Sequence, residues 1–146
     1  MLTMPQYTVE EVLPHDVPFI LLDDIIYVSE TGIRTSLRIA EDCLFFEAFE
    51  GVPSWVGAEY MAQCVGAFAG HRDRCAGSAP QIGFLVGVRE MICTCPHFKN
   101  GALLIISAEE NFNDGVMVVF DCTITEENGD ELARAKLSVY RPKSQD

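Results

Sequence analysis

Basic residues are scarce in this chain, which has 10 lysines and arginines against 22 aspartates and glutamates and a formal net charge of -12. A nucleic-acid-binding protein presents a basic face, and a polybasic membrane anchor needs clustered lysines and arginines, so we expect neither nucleic acid nor membrane as a partner. The acidity does not indicate disorder, because 49% of the residues are hydrophobic. With 146 residues, we expect a single domain spanning 1–146.

Export and membrane signals are also missing. The opening residues MLTMPQYTVEEVLPHD contain neither a basic n-region nor an apolar h-region, so we expect a cytoplasmic protein without a signal peptide. The six cysteines are then expected to be reduced thiols, mostly small core residues. They form no CxxC motif, and we expect no metal site. The apolar run at 53–70 contains Glu59 and Gln63 and is short for a membrane span, which favours a buried helix of a soluble protein.

The order of local patterns indicates an α+β fold. A short helix is predicted at 8–14, followed by β-rich runs at 19–30 and 33–41 that flank the turn residues Thr31 and Gly32 and predict a hairpin. The next apolar run predicts a helix, and four more β-type runs follow it without another helix. These four runs are 81–95, 102–112, 116–127 and 131–141.

The predicted helix at 54–70 is unusually rich in glycine and alanine. Ser54 is its expected N-cap. Glycine and alanine allow close approach by other elements, but such a helix needs surrounding structure to hold it. An antiparallel sheet that wraps around one long central helix satisfies every predicted element, and this is the hotdog fold.

Three blocks of the sequence resemble the 3-hydroxyacyl-[acyl carrier protein] dehydratases of fatty-acid synthesis. LPHDVPFILLDDI (13–25) is similar to that family's opening block, and VPSWVGAEYMAQ (52–63) is similar to its central-helix block with Glu-x-Met-Ala-Gln. GFLVGVREMICTCPHFKNGALL (83–104) is similar to the strand that follows. The resemblance covers almost the whole chain and implies the same hotdog fold.

One element of that family is absent. Its Gly-His-Phe-Pro-Gly segment carries a catalytic histidine, whereas LFFEAFEGVPSW (44–55) is several residues shorter and contains no histidine. The chain is therefore more similar to a divergent branch that includes the dehydratase-like subunits of aryl-polyene pathways. Within that resemblance, Glu59 is the expected site acid, and His15 of the Leu-Pro-His block is the natural substitute for the missing histidine.

Dehydrating a 3-hydroxyacyl thioester requires a base at Cα, an acid at the β-hydroxyl and hydrogen-bond donors at the thioester oxygen. Glu59 is the single charge between Pro53 and His71. We expect its apolar neighbours to desolvate it, which favours the neutral form that donates a proton. Its alternative is a structural acid, bonded to a backbone group or paired with an arginine across an interface. His15 is the expected base, and its alternative is a capping or surface role.

Residues around Glu59 are candidates for supporting roles. Gln63 lies one helical turn later on the same face, and the resemblance implies that it fixes the helix to the facing loop. Trp55, Val56 and Gly57 are candidates for the N–H groups that hold the oxyanion, with core packing as the alternative for Trp55. Five phenylalanines are candidates for an acyl tunnel or for ordinary core, namely Phe45, Phe46, Phe49, Phe84 and Phe98.

The other two histidines are weaker candidates for the base. His71 ends the predicted helix, where a cation complements the helix dipole. His97 lies in a Pro-His-Phe loop that could approach a substrate mouth.

The predicted function is dehydration of a 3-hydroxyacyl thioester to a trans-2-enoyl thioester in fatty-acid or polyene synthesis, without metal, nucleotide or other cofactor. The thioester is carried by acyl carrier protein or by coenzyme A. Because carrier proteins are acidic like this chain, a local basic patch is needed for docking. Its candidates are Arg72, Arg74, Arg89, Lys99, Arg141 and Lys143.

Two alternatives remain open at this point. Hotdog thioesterases also use an acid near the central helix, and a subunit without the usual histidine could serve as a non-catalytic partner of an active dehydratase. In each case we expect a homodimer or a hetero-oligomer with a related hotdog subunit, because a strand such as 82–92 has an edge that pairs with another chain.

Overall fold

The computed structural model describes residues 3–13, 19–80 and 84–140, with only the backbone described for 84–86. Within these residues the chain forms two α-helices, a short 3-10 helix and eight strands. In chain order they are α1 (Val9–Val12), β1 (Asp24–Val28), β2 (Gly32–Arg38), β3 (Val52–Pro53), the 3-10 helix Ser54–Val56, α2 (Gly57–Cys75), β4 (Phe84–Cys93), β5 (His97–Phe98), β6 (Leu103–Asn113), β7 (Met117–Glu126) and β8 (Glu131–Tyr140).

Six strands form one antiparallel sheet in the order β1-β2-β6-β7-β8-β4, and this sheet packs against α2. Along β6, β7 and β8, alternate side chains are buried, as the period of a strand requires. The buried positions are Leu104, Ile106, Ala108, Phe120, Cys122, Ile124, Ala133, Ala135 and Leu137. The predicted hotdog arrangement, with one central helix and a five- or six-stranded antiparallel sheet, is confirmed.

The predicted hairpin is β1 paired with β2, in which Ile25 lies opposite Thr35. The strand is shorter than the predicted run at 19–30, because β1 begins only at Asp24. Residues 19–21 instead approach α2, where the backbone of Phe19 and Leu21 bonds to a helix side chain. The apolar composition of this stretch therefore reflects contact with the helix as well as strand formation.

The start of the central helix differs from the prediction. Ser54 does not cap α2; its N–H donates to Pro96 O at 2.9 Å, and it opens the 3-10 helix that precedes Gly57. The cause is a second sheet of two short strands, in which Pro53 of β3 pairs with His97 of β5. This pairing holds the chain extended up to Pro53. At its other end α2 continues to Cys75, five residues beyond the predicted end.

Glycine lets three elements approach α2 closely, namely β5, β7 and α1. A Cβ built on Gly57 would lie 3.0 Å from Ile124 Cδ1 and 3.1 Å from the Phe98 ring, so this end of the helix sits directly on the core. A Cβ on Gly70 would overlap the carbonyl oxygen of Val12, which belongs to α1. These contacts explain why glycine occupies helix positions where it is intrinsically unfavourable.

The segment before residue 14 packs on the C-terminal half of α2. The Gln6 N–H donates to His71 Nε2 at 3.2 Å, and Arg74 Nε donates to Glu11 O at 2.9 Å. Burial lowers the pKa of His71, so the ring is held neutral as an acceptor. The expectation that His71 complements the helix dipole as a cation is therefore wrong.

Tyr60 is the largest buried side chain of α2 and is only 1% exposed. Its hydroxyl has no hydrogen-bond partner among the described residues. A buried hydroxyl without a partner costs stability, so we expect Tyr60→Phe to leave the free energy of unfolding unchanged or raise it by up to about 1 kcal/mol. Urea denaturation measures this difference. A loss of more than about 1 kcal/mol would contradict the assignment, since it would mean that the hydroxyl is satisfied.

All six cysteines lie among the described residues and are free thiols. Only Cys64 and Cys122 are buried, so the expected core role holds for these two and not for the set. Burial raises the pKa of Cys64 to about 12, which makes it an inert thiol at neutral pH. Separately, no helix in the described parts of the chain is long and apolar enough to span a membrane.

Candidate functional site

A cleft of about 570 Å³ opens beside the N-terminal end of α2. Aromatic and aliphatic side chains form most of its wall, with one carboxyl and one amide among them. Its lining residues are Phe19, Leu21, Leu44, Phe45, Trp55, Val56, Ala58, Glu59 and Gln63. An apolar cleft with a few converging polar groups is the usual form of a small-molecule site.

Glu59 is the acid of this cleft, at the third position of α2. It is exposed in the single chain, so the expected burial by its apolar neighbours is wrong for the isolated subunit. The neighbouring Tyr60 and Met61 turn inward to the core, while Glu59 points into the open cleft. Glu59 Oε1 accepts a hydrogen bond from Gln63 Nε2 at 3.2 Å.

Gln63 connects the acid to the facing loop. Its side-chain amide is 2% exposed and makes three hydrogen bonds. Its Oε1 accepts from the Leu21 N–H at 2.8 Å, and its Nε2 donates to Phe19 O at 2.7 Å as well as to Glu59. Both N–H groups of the amide are therefore used, and the position of Glu59 is tied to the backbone that follows residues 14–18.

Of the three candidate oxyanion donors, Trp55 and Val56 lie in the 3-10 helix, and Gly57 is the first residue of α2. The Gly57 N–H donates to Ser54 O and Trp55 O, so it is engaged within the 3-10 helix. Trp55 and Val56 precede it and line the cleft. Trp55 is 64% exposed, so its alternative role as plain core is wrong. Its ring lies 5.6 Å from the Phe45 ring, and the two form one wall of the cleft.

The phenylalanine candidates divide between core and surface. Phe98 is fully buried against Tyr60, with ring centroids 5.9 Å apart, and is ordinary core. Phe46 is half-buried, and Phe49 is fully exposed outside the cleft. Phe45 is the one candidate of the five that lines the cleft among the described side chains; that of Phe84 lies outside them.

The two candidate bases are placed differently. His15 falls within 14–18, outside the described residues, so its role as the base stays a prediction. That role requires it to lie within about 8 Å of Glu59. His97 does not line the cleft. Its Nε2 lies 2.8 Å from Glu47 Oε1 and 3.1 Å from Glu50 Oε2, and it therefore holds carboxylates of a neighbouring loop. Sequence reasoning missed this cluster, because about 50 residues separate the acids from His97.

The expected basic patch is not gathered at the cleft. Arg72 bonds to Glu30 O and Glu110, and Arg74 bonds to Glu11 O, both at the C-terminal end of α2. No lysine or arginine lines the cleft within the part of the chain that the structure describes. Arg141 and Lys143 lie outside the described residues.

Comparison with known proteins identifies the family of this chain. The profile of the ApeP dehydratases, described as ApeP-like, matches residues 7–146. The chain belongs to this family. No relative among curated proteins is found by sequence.

Solved structures share the fold of this chain, and one of them also supports the family assignment. The dehydratase heterocomplex ApeI:P from Xenorhabdus doucetiae is similar, with 27% identity, a TM-score of 0.84, and coverage of 94% of this chain and 93% of that chain. A hypothetical thioesterase with coenzyme A from Streptococcus pneumoniae has 11% identity, a TM-score of 0.67 and coverage of 84% and 88%. Zebra fish thioesterase superfamily member 2 has 12% identity, a TM-score of 0.68 and coverage of 87% and 86%. The last two share the hotdog fold alone.

Membership of the ApeP dehydratase family makes the chain a dehydratase, that is, a lyase. The cleft supplies the acid Glu59, the amide of Gln63 that holds this acid in place, and an apolar wall. Dehydration also requires a base, and no histidine among the described residues lines the cleft. The base must come from outside the described residues, from another subunit or from water.

Proposed function

We propose that this ApeP-family chain dehydrates a 3-hydroxyacyl thioester to a trans-2-enoyl thioester during aryl-polyene synthesis. The observation that carries the proposal is Glu59, held by Gln63 in an apolar cleft at the N-terminal end of α2. We propose further that the chain is one hotdog domain over 1–146, that it acts in the cytoplasm, and that it uses no metal or nucleotide.

In the proposed reaction a base removes the proton from Cα, and the electron pair moves onto the thioester oxygen as an enolate. Backbone N–H groups at Trp55 and Val56 are the proposed donors to that oxygen. The enolate then reforms the carbonyl, the Cα–Cβ double bond forms, and the β-hydroxyl leaves as water after accepting the proton of Glu59. Glu59 must therefore be neutral at the start of the step.

A second subunit is part of the proposal. Glu59 is exposed in the single chain, as are the cleft-lining side chains of Phe19, Leu44, Phe45 and Trp55. A subunit that covers them would take the carboxyl out of water, which favours its neutral form. The solved ApeI:P structure is a dehydratase heterocomplex. We propose that this chain likewise pairs with a related hotdog subunit, using the outer edge of β4 and the face around the cleft.

His15 is the proposed base. It stands four residues before Phe19, whose backbone bonds to Gln63 and whose side chain lines the cleft. The carrier of the thioester is proposed to be acyl carrier protein, with coenzyme A as the alternative. Since no described cation lines the cleft, docking of an acidic carrier would rely on the partner subunit.

The test is hydration of enoyl-pantetheine thioesters, which is the reverse reaction, by the chain alone and mixed with a related hotdog subunit. We expect activity, and we expect His15→Ala to lower kcat by about 10²–10⁴-fold. Equal activity of the wild type and His15→Ala would mean that His15 has a structural role. Release of free thiol from the acyl thioester would instead indicate a thioesterase.

One observation favours a second candidate, a non-catalytic partner subunit. The segment 44–55 lacks the histidine that the related fatty-acid dehydratases carry before the central helix. In this case the chain alone is inactive, and the mixture keeps full activity when Glu59 is replaced by glutamine. That result would assign the chemistry to the other subunit.

A further inference from the structure

The loop at 41–51 forms the outer wall of the Glu59 cleft. Leu44 and Phe45 line the cleft, and the Phe45 ring contacts Trp55. Beyond Phe45 the loop no longer lines the cleft, and a turn between Glu47 and Gly51 leads into β3. The position of this loop therefore sets the shape of the apolar part of the cleft, where the proposed acyl group would lie.

The loop has an unusual backbone. Phe45 and Phe49 have φ values of 70° and 68°, in the left-handed region that side chains other than glycine rarely adopt. Such a conformation costs about 1–2 kcal/mol per residue. It persists only when surrounding contacts hold the backbone in place.

Backbone hydrogen bonds within the loop supply some of those contacts, such as the Phe46 N–H donating to Cys43 O at 3.1 Å, and the side chain of His97 supplies others. Its Nε2 lies 2.8 Å from Glu47 Oε1 and 3.1 Å from Glu50 Oε2, on the side of the loop facing β5. Backbone bonds in both directions between Glu47 and Gly51 close the turn that carries these acids. A Cβ at Gly51 would overlap Phe98 O, so the turn rests directly on β5. We call Glu47, Glu50 and His97 the carboxylate clamp.

The charge of the clamp depends on His97. Two carboxylates face one imidazole, and Glu41 and Lys99 are the other charged groups that line the adjacent cavity. A neutral imidazole offers one N–H at most to the two acids, whereas a protonated ring also cancels charge between them. Replacing His97 therefore removes the group that bridges Glu47 and Glu50.

We propose that His97 is a positioning residue for the dehydratase: through Glu47 and Glu50 it holds the 41–51 loop so that Phe45 packs on Trp55, and it thereby sets the affinity of the cleft for the acyl group. The expected effect of His97 on catalysis rests on the proposed function. The effect on the Phe45–Trp55 contact is independent of any reaction.

The structural arm of the test uses Trp55, which is the single tryptophan of the chain. Its fluorescence reports the contact with Phe45 directly. In His97→Gln we expect the emission maximum to move to longer wavelength and the acrylamide quenching constant to rise by about 1.5-fold, because the aromatic contact is lost. Glu47→Gln combined with Glu50→Gln should give the same change. EDTA in the buffer keeps adventitious metal ions off the carboxylates.

The kinetic arm separates positioning from catalysis. His97→Gln should raise KM for long or aromatic enoyl thioesters by about five- to tenfold and change kcat by less than about twofold. A fall in kcat with KM unchanged would overturn the proposal and make His97 a participant in the reaction. If the wild type has no activity, the proposed function fails, and the fluorescence arm still decides the role of His97.

Two loop variants provide a matched control. Phe45→Gly and Phe49→Gly each remove a ring and relieve a strained φ in the same loop. Only Phe45 lines the cleft, so only Phe45→Gly should raise KM and change the Trp55 emission. Equal effects of the two variants would show that loop order, rather than the Phe45 wall, is responsible, and this would overturn the proposal.

Discussion

Glu59→Gln is expected to abolish turnover and leave the fold intact. Glutamine keeps the volume of the side chain and its oxygen, which can still accept the bond from Gln63 Nε2. It cannot donate a carboxyl proton to the departing hydroxyl. Loss of general acid help lowers rates by about 10²–10⁴-fold. The measurement is kcat for hydration of an enoyl thioester by the assembled enzyme, with circular dichroism as the check on folding.

Glu10→Gln is the matched control for this variant. Glu10 is an exposed acid in the first turn of α1 and does not line the cleft. The same charge change there should leave kcat at the wild-type value. If Glu59→Gln keeps more than about a tenth of the activity, Glu59 is not the proton donor and the structural alternative is correct.

Gly70→Ala is expected to destabilise the protein by about 1–3 kcal/mol, the usual cost of forcing an extra methyl into a packed site. The added Cβ would overlap the Val12 carbonyl oxygen, which is backbone and cannot rotate away. Alanine normally favours a helix over glycine, so a loss of stability can only come from this contact. Chemical denaturation measures it.

Gly66→Ala provides the comparison on the same helix. The nearest atom to its added Cβ is Leu13 Cδ2 at 3.3 Å, the end of a flexible side chain. We therefore expect a change between zero and about 1 kcal/mol in the stabilising direction. Equal stabilities of the two variants would mean that α1 is free to move away from Gly70.

Much of the fold could be predicted from the sequence, because its long strands are β-type runs separated by turn residues. The runs at 102–112 and 116–127 predicted β6 and β7 to within one residue at each end. The two-residue strands β3 and β5 are too short to show a period. Their pairing nevertheless decides where α2 begins, and this is why the prediction of Ser54 as the N-cap was wrong.

The candidate site was less predictable. Glu59 was identifiable as the single charge in an apolar run, but its exposure depends on which way one helix position faces and on whether another subunit covers it. The carboxylate clamp depends on a contact between residues distant in sequence, which no local pattern records. In general, the sequence alone does not identify residues that act through another chain segment, because only the fold brings them into contact.

The outer edge of β4 has a consequence for how cells produce this protein. This strand ends the sheet, no described strand pairs with its far side, and Val88 and Ile92 on it are exposed. A chain made without a partner therefore presents an open template for aggregation. Matched synthesis of this chain and the proposed partner subunit would keep orphan chains scarce, and quality-control proteases would remove the excess. For the same reason, co-expression should give a higher yield of folded protein than expression of this chain alone.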